Sequence, residues 1–344
     1  MSRLTSAVGV GLAISIALVT TMPTGIAGQQ ASKPAKGWTV PRTPDGRPDF
    51  QGYWTNDSFT PLERPADLAG KAFFTEQEAA AYLKKRTDQF LAQPKNDIHY
   101  DDAIWQTENY TKDPNRRTSL IVDPPDGKLP AETPEARKRA AEMGRARESA
   151  DSAQGRSLAE RCISWGTVGP PMIPPTYNAN FQFLQSPDHV VIRHEMMHDV
   201  RLIALDGRAV PNPAVQQMAG IARGRWEGDT LVVETTNFTA ITNFRGPPQS
   251  ARQDIFASET LRVVERFTMT DRETIRYQFT AEDPSTWTRS WSGETPLRRF
   301  EGPIYEYACH EGNYGLPNIL RAARVQEAGG KPVDAPTPFN RFDR

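Results

Sequence analysis

From about residue 178 onward, apolar and polar side chains alternate with a period of two, which is typical of half-buried β-strands. Turn sequences such as SPD, LDGR, EGD and EDPS separate the alternating stretches. An antiparallel meander of this length closes into a barrel or folds into a sandwich, so the sequence predicts a mainly β domain. The predicted strands are 181–186, 189–204, 221–226, 229–235, 259–269, 273–281, 287–299 and 303–309.

Two helices are predicted before these strands. Thr75, with Glu78 three residues later, has the pattern of a capping box and predicts a helix that ends before Pro94. Thr133 followed by Pro134 marks the start of the second helix. The rest of this region contains too few apolar residues for a core of its own, so we expect an irregular wrap packed on the barrel.

The N-terminus has the pattern of an export signal. Arg3 precedes an apolar stretch from about Val8 to Val19, and the small residues Ala27 and Gly28 suit cleavage. The apolar stretch is short for a transmembrane helix, although an uncleaved anchor is the alternative. We therefore expect a periplasmic or secreted protein that is not inserted in a membrane after signal cleavage.

These patterns divide the chain into five parts. In order, they are a signal peptide (1–28), a flexible lead-in (29–45), an irregular wrap with helices (46–175), a β-barrel domain (176–325) and a C-terminal tail (326–344).

Composition and charge narrow the classes of function. The net charge of −1 argues against a nucleic-acid partner, and 29 prolines suit a loop-rich β protein. The chain has no G-x-S-x-G elbow, P-loop, dinucleotide fingerprint or C-x-x-C pair. Serine-nucleophile and nucleotide chemistry are therefore disfavoured, and no cofactor is expected.

The two cysteines, Cys162 and Cys309, are expected to form a disulfide because an exported protein folds in an oxidising compartment. Two separate buried thiols are the alternative. In the chain-entropy model, a cross-link over so long a loop contributes roughly 4–5 kcal/mol.

Residues 194–198 read HEMMH, which matches the H-E-x-x-H motif of zinc proteases. That motif needs a helix, where its two histidines reach one ion. The surrounding alternation instead predicts a strand, with His194 and His198 on one face roughly 13 Å apart. The third ligand of the extended motif is also missing, since Arg201 and Ala204 stand at the required positions. We therefore expect no shared zinc site.

The same alternation predicts which side chains line the barrel. His194, His198 and Glu265 fall on the apolar faces of their strands. We assign His198 as the acid–base residue, Glu265 as its orienting partner, and His194 or His310 as a second acid–base group. Internal hydrogen bonds of His198 and Glu265 are the alternative. The candidate substrate-binding residues are Trp287, Trp291, Tyr277, Arg245, Asn237 and Glu306.

His310 lies in CHEGNYG (309–315), a glycine-containing segment beside the second cysteine. Two interpretations stay open: a disulfide-anchored corner, or a corner that presents His310 to the mouth of a pocket. Asn237 and Arg245 lie in an irregular stretch, 235–246, that either orders a substrate or satisfies its own backbone.

Together these residues indicate an exported enzyme that uses His/Glu acid–base chemistry on a small hydrophobic or aromatic molecule, of the lyase, hydratase, isomerase or hydrolase type. A lipocalin-type carrier is the first alternative. A metal-dependent hydrolase that uses His194, His198 or His310 is the second.

Several segments resemble an uncharacterised family of exported bacterial proteins, among them RGRWEGDTLVVETTNFT and YEYACHEGNYG. The resemblance extends over nearly the whole chain after the signal and implies export, but it supplies no activity. A weaker similarity is to calycins such as the lipocalins, which carry G-x-W in their first strand. GYW (52–54) and GRW (224–226) both match, and the similarity implies an antiparallel barrel around a ligand pocket.

Overall fold

The computed structural model describes residues 38–91, 115–165, 169–175, 177–240, 243–245 and 254–330. The predicted signal peptide, the lead-in up to residue 37 and the tail from residue 331 lie outside these ranges.

Short β-strands dominate the described chain. In chain order they are β1 Gly52–Thr55, β2 Ile121–Asp123, β3 Asn180–Gln185, β4 His189–His194, β5 Val200–Ala204, β6 Ile221–Glu227, β7 Thr230–Thr236, β8 Asn243–Arg245, β9 Asp254–Phe256, β10 Arg262–Met269, β11 Thr274–Glu282 and β12 Trp291–Arg299.

Nine of these strands close into a barrel, which confirms the predicted fold class. They pair in the order β1, β3, β4, β5, β6, β7, β10, β11 and β12, and β1 then pairs with β12. All pairs are antiparallel except β5 with β6, so the barrel is mixed rather than a simple meander. β2 adds to β12 outside this ring, and β8 and β9 form a separate two-stranded sheet.

Three sequence-based boundaries are wrong. The predicted strand 189–204 is a hairpin, β4 and β5, joined by a tight turn. No strand forms at 303–309, where the backbone is irregular. The wrap is not separate from the barrel either, because β1 lies within 46–175 and supplies the strand that closes the ring.

The described chain has three α-helices, α1 (Glu76–Leu91), α2 (Pro134–Ser149) and α3 (Gly315–Glu327). The first two confirm their predicted starts. The capping box of α1 is formed, since Glu78 N–H donates to Thr75 Oγ1 at 3.2 Å and Thr75 N–H to Glu78 Oε2 at 2.9 Å. The third helix was not predicted.

Among the described residues, no helix combines the length and the apolar character that crossing a bilayer requires.

Aromatic rings fill the barrel interior. Residues on β10 and β11 alternate between buried and half-buried, as the period-two pattern predicts. Phe183, Phe267 and Tyr277 are fully buried, and their neighbouring rings pack at centroid distances of 5.6 and 4.9 Å. A side chain that borders a solvent-sized cavity retains accessible surface, so no such cavity touches these rings. Burying each aromatic side chain contributes roughly 1.5–3 kcal/mol.

The predicted disulfide is present. Cys162 and Cys309 are bonded, with their Cα atoms 5.6 Å apart, and the bond joins positions separated by 147 residues. It ties the segment after α2 to the segment before α3.

Candidate functional site

A buried ion pair lies inside the barrel. Glu265 on β10 is 0% exposed, and both of its oxygens accept hydrogen bonds from the Arg201 guanidinium of β5, one of them at 3.0 Å. The Tyr277 hydroxyl donates to Glu265 Oε1 at 2.8 Å and accepts the Met172 N–H at 2.8 Å. These contacts join β5, β10 and β11 to the segment 169–175.

The charges within this group reinforce one another. Burial, the largest single effect, opposes the positive charge of Arg201, but the adjacent Glu265 carboxylate, with smaller contributions from Tyr277 and Asp199, raises the pKa of Arg201 overall. Burial and the same carboxylate raise the pKa of Tyr277 well above its ordinary value. At neutral pH Arg201 is therefore a charged guanidinium and Tyr277 a neutral phenol.

Arg201 faces the interior because the β4–β5 turn changes the alternation. The sequence pattern placed Arg201 on the outer face, together with Arg193. In the hairpin, Arg201 is paired with inward-facing Ile192, while Val200 and Leu202 are 53% and 60% exposed. The prediction that His198 partners Glu265 is therefore wrong, since Arg201 and Tyr277 occupy both carboxylate oxygens.

The HEMMH segment is the turn of this hairpin. Met196–His198 form one short 3-10 turn, in which Met197 and His198 have φ values of 59° and 42°. The motif therefore lacks the helix on which zinc proteases carry their ligands. The prediction that His198 lies on a strand and faces inward is wrong: it is exposed, and its Nδ1 lies 3.1 Å from the Tyr307 carbonyl oxygen.

Glu195, the middle acid of the motif, anchors the turn. It is 3% exposed, and its two carboxylate oxygens accept hydrogen bonds from the side-chain amides of Asn178 at 2.6 Å and Asn180 at 2.8 Å. Its own N–H donates to the Asn180 carbonyl at 2.9 Å. These contacts satisfy a buried carboxylate and hold the turn against the start of β3.

His194 is the histidine that does face the interior, as predicted. It ends β4, is 6% exposed and packs beside the Phe181 ring at a centroid distance of 5.8 Å. Burial, together with the positive charge of Arg201, lowers the pKa of His194 to about 3. Its buried Nε2 has no hydrogen-bond partner within the described ranges. At neutral pH it is an uncharged imidazole with one unused ring nitrogen.

Asp199 lies across the hairpin from His194. His194 N–H donates to the Asp199 carbonyl at 2.8 Å, and strand alternation puts the Asp199 side chain on the side of Arg201. Burial raises the pKa of Asp199, although the Val200 N–H and the Arg201 charge act in the opposite direction. The hairpin therefore brings a carboxylate with a raised pKa and a neutral imidazole to the same end of the barrel.

Other polar atoms on the inner face also lack partners in the described part of the chain. They are Thr235 Oγ1, Thr295 Oγ1 and Trp291 Nε1, all on residues at most 1% exposed. Thr295 is directly opposite Tyr277 in the β11–β12 pairing. Buried polar atoms normally have hydrogen-bond partners, so these three atoms are exceptions that the described contacts leave unsatisfied.

The remaining candidate residues do not join this group. Trp287 and Trp291 are at most 2% exposed and pack edge to face at 5.6 Å, as part of the core. Glu306 and His310 are exposed. Asn237 donates from its amide to the carbonyls of a neighbouring loop at 2.9–3.3 Å, so it satisfies that loop's backbone.

Arg245 ends β8, apart from the barrel sheet, and its side chain lies outside the described residues. Within the described ranges, no three His, Cys, Asp or Glu side chains come together in a way that suits a metal ion.

Sequence reasoning missed Asp199, Arg201 and Met172. The first two were assigned to the outer face, because the alternation of residues 189–204 gives no sign of a change of face. Met172 lies in a proline-rich stretch without periodicity, and its contribution is a backbone N–H that no side-chain pattern reveals.

Because of His194, the folded protein should become less stable as the pH falls. The pKa of His194 is about 3 in the folded protein and 6.5 ordinarily, so the unfolded chain binds a proton first. This difference in the pKa of His194 stabilises the folded protein above pH 6.5, and the stabilisation is lost as the pH falls toward 3. Between pH 7 and pH 5 we expect a loss of about 2 kcal/mol.

Urea unfolding of the wild type and of His194→Gln at several pH values measures this effect. The difference between the two proteins isolates His194, because Asp199 titrates in both. His189→Gln, on the outer face of the same strand and beside Asp188, is the matched control. Parallel wild-type and His194→Gln curves would contradict the assignment.

Comparison of the chain with protein-family models, with curated proteins and with solved structures found no match.

Proposed function

We propose that this is an exported enzyme that performs acid–base chemistry on a small, partly hydrophobic molecule at the β4–β5 end of the barrel. One observation carries the proposal: His194 and Asp199 are opposite one another in the backbone pairing of the hairpin, and Arg201, two residues after Asp199, forms the buried ion pair with Glu265. The disulfide is compatible with an oxidising compartment outside the cytoplasm.

Each group has a chemical role that follows from its environment. Asp199, whose pKa burial raises, accepts a proton from the substrate and returns it. His194 is neutral, so its free ring nitrogen donates a hydrogen bond to an oxygen on which negative charge develops. The Arg201 guanidinium stabilises that charge through space, while Glu265 and Tyr277 fix its position.

These roles describe proton transfer, which lyases, hydratases, isomerases and many hydrolases share. The substrate is small because aromatic side chains fill the interior, and partly hydrophobic because the Phe181 ring lies beside His194. Compared with the sequence-based assignment, His194 and Asp199 replace His198 as the reacting pair.

A binding protein without turnover is the second candidate, and the low pKa of His194 favours it. An imidazole that stays neutral at physiological pH suits permanent hydrogen bonding to a ligand rather than proton exchange. In this interpretation Asp199 and His194 orient the ligand and nothing is converted.

A library of small oxygenated metabolites, screened by thermal shift and then by mass spectrometry of incubated mixtures, tests the proposal. We expect a ligand that raises the melting temperature and is converted to a product. Asp199→Asn and His194→Gln should each lower turnover by roughly 10²–10⁴-fold. Asp229→Asn and His189→Gln, which change an aspartate and a histidine elsewhere, should leave it unchanged.

The outcomes separate the candidates. A ligand that binds in a His194-dependent manner and is recovered intact would support the binding protein and reject the enzyme. Turnover that survives both substitutions would show that the chemistry lies elsewhere.

A further inference from the structure

Two almost wholly buried arginines lie outside the barrel, between the wrap and the outer face of β12. Arg64 is 4% exposed and Arg117 is 8% exposed. Arg64 Nε donates to Thr118 Oγ1 at 3.0 Å, and its Nη1 donates to the Pro125 carbonyl at 3.0 Å. A turn closes over Arg64, since a Cβ on Gly127 would lie 3.0 Å from the Arg64 Cζ.

Among the described residues, these two guanidinium groups form one ion pair with a carboxylate. Glu294 Oε1 lies 3.5 Å from Arg117 Nε, and Gln278 donates to the other Glu294 oxygen at 2.8 Å. The acceptors of Arg64 are neutral oxygens, and no acidic side chain in the described ranges forms an ion pair with it. The cluster therefore contains two buried positive charges and one negative charge.

The excess of buried positive charge is reflected in the pKa of Arg117. Burial lowers the pKa of Arg117 below its ordinary value, and the charge of Arg64 adds to that effect while Glu294 opposes it. Since a buried charge is unfavourable unless it is paired, the cluster is one anion short of balance.

We propose that Arg64 and Arg117 bind a small oxyanion, a carboxylate or a phosphate group, that supplies the missing negative charge. A guanidinium group presents paired N–H donors whose spacing matches the oxygens of carboxylates and phosphates. The cluster lies one side chain below the surface: the Arg117 guanidinium stacks on the Phe73 ring at 4.7 Å, and Phe73 is 43% exposed.

This site is on the opposite side of the sheet from His194 and Asp199. Glu294 faces outward from β12, whereas its neighbour Thr295 faces the interior. The oxyanion site is therefore independent of the proposed acid–base function, and either one can fail without the other.

Calorimetric titration of the full-length, disulfide-bonded protein tests the inference. The probes are inorganic phosphate, sulfate and acetate, each compared with sodium chloride at equal ionic strength. We expect saturable binding of at least one oxyanion, and the preferred probe distinguishes a carboxylate site from a phosphate site. Arg117→Gln should weaken that binding at least tenfold, whereas Arg208→Gln, an exposed arginine, should not change it.

Replacing Glu294, the carboxylate of this cluster, should have the opposite effect on oxyanion binding from replacing Arg117. Glu294→Gln should strengthen oxyanion binding about tenfold, because both guanidinium groups then face the anion without competition. If the arginines only hold the wrap in place, Glu294→Gln lowers the melting temperature equally in chloride and in the oxyanion. The absence of saturable binding to the wild-type protein would overturn the inference even if every variant failed to fold.

Discussion

Replacing Glu265 by glutamine should destabilise the protein by about 3–5 kcal/mol, the usual effect of removing one partner from a buried ion pair. Glu265 is fully buried and holds both donors of Arg201 and the Tyr277 hydroxyl. Without the carboxylate, the Arg201 guanidinium stays inside the barrel without the acceptor to which both of its hydrogen bonds are made. Urea unfolding at pH 7, with wild type and variant in the same buffer, measures the loss.

The double variant Arg201→Met/Glu265→Leu is the informative control. Apolar residues of similar volume commonly replace a buried ion pair with little loss, because both desolvation penalties disappear together. We therefore expect its stability to be close to that of the wild type and well above that of Glu265→Gln. A single variant as stable as the wild type would mean that the pair is not buried as described.

This ion pair changes how the activity of Glu265 variants must be interpreted. From the sequence, Glu265→Gln is expected to lose activity and keep its fold. In the structure the Glu265 carboxylate accepts hydrogen bonds from Arg201 and Tyr277, which lie on two other strands. Loss of activity in a Glu265 variant alone therefore does not show that Glu265 is catalytic. Tyr277→Phe is the milder substitution, because it removes one hydrogen bond and leaves the ion pair in place. Activity should be compared among variants shown to be folded.

The barrel was predictable from the sequence because two of its longest strands alternate regularly between apolar and polar residues. β10 and β11 are long, their apolar residues alternate without interruption, and charged turns separate them. Period-two burial then assigns Glu265 and Tyr277 to the inside from the sequence alone. Both assignments are correct, as is the inward position of His194.

The sequence predicted one long strand in place of the β4–β5 hairpin, and the reason is physical. The turn between β4 and β5 contains no glycine, proline or asparagine, and Met197 and His198 adopt positive φ values that the sequence does not announce. Because histidine and methionine also continue the alternation, the segment resembles one long strand. The turn shifts the alternation, so the predicted faces of Val200, Arg201, Leu202 and Ile203 on β5 were the reverse of the observed ones.

Long-range contacts explain the other differences. β1 has four residues, too few for a periodic signal, and it is a strand because β3 and β12 pair with it. The segment 303–309 alternates like a strand but stays irregular. Its side chains instead contact distant parts of the chain: the Tyr307 hydroxyl lies 3.2 Å from the Tyr177 hydroxyl, and Tyr307 packs against Met196 and Met197.

The disulfide completes this packing around the HEMMH turn. Cys309 packs in the same small cluster as Met196 and Met197, and the Tyr307 carbonyl contacts His198. The turn that carries His194 and Asp199 is therefore held from one side by the two asparagines on Glu195, and from the other by a segment whose position depends on Cys162–Cys309.

Breaking this bond should have an effect as large as that of breaking the ion pair. The cross-link spans 147 residues, for which chain entropy alone predicts a loss of about 4–5 kcal/mol. Cys162→Ser/Cys309→Ser should show this loss in urea, and a thiol reductant should reproduce it in the wild type but have no further effect on the variant. Hydrogen exchange should accelerate most at residues 194–199, because the segment that packs on the turn is no longer tethered. If the variant loses less than about 1 kcal/mol and exchange at the turn is unchanged, then the contacts of Glu195 position His194 and Asp199 without help from the disulfide.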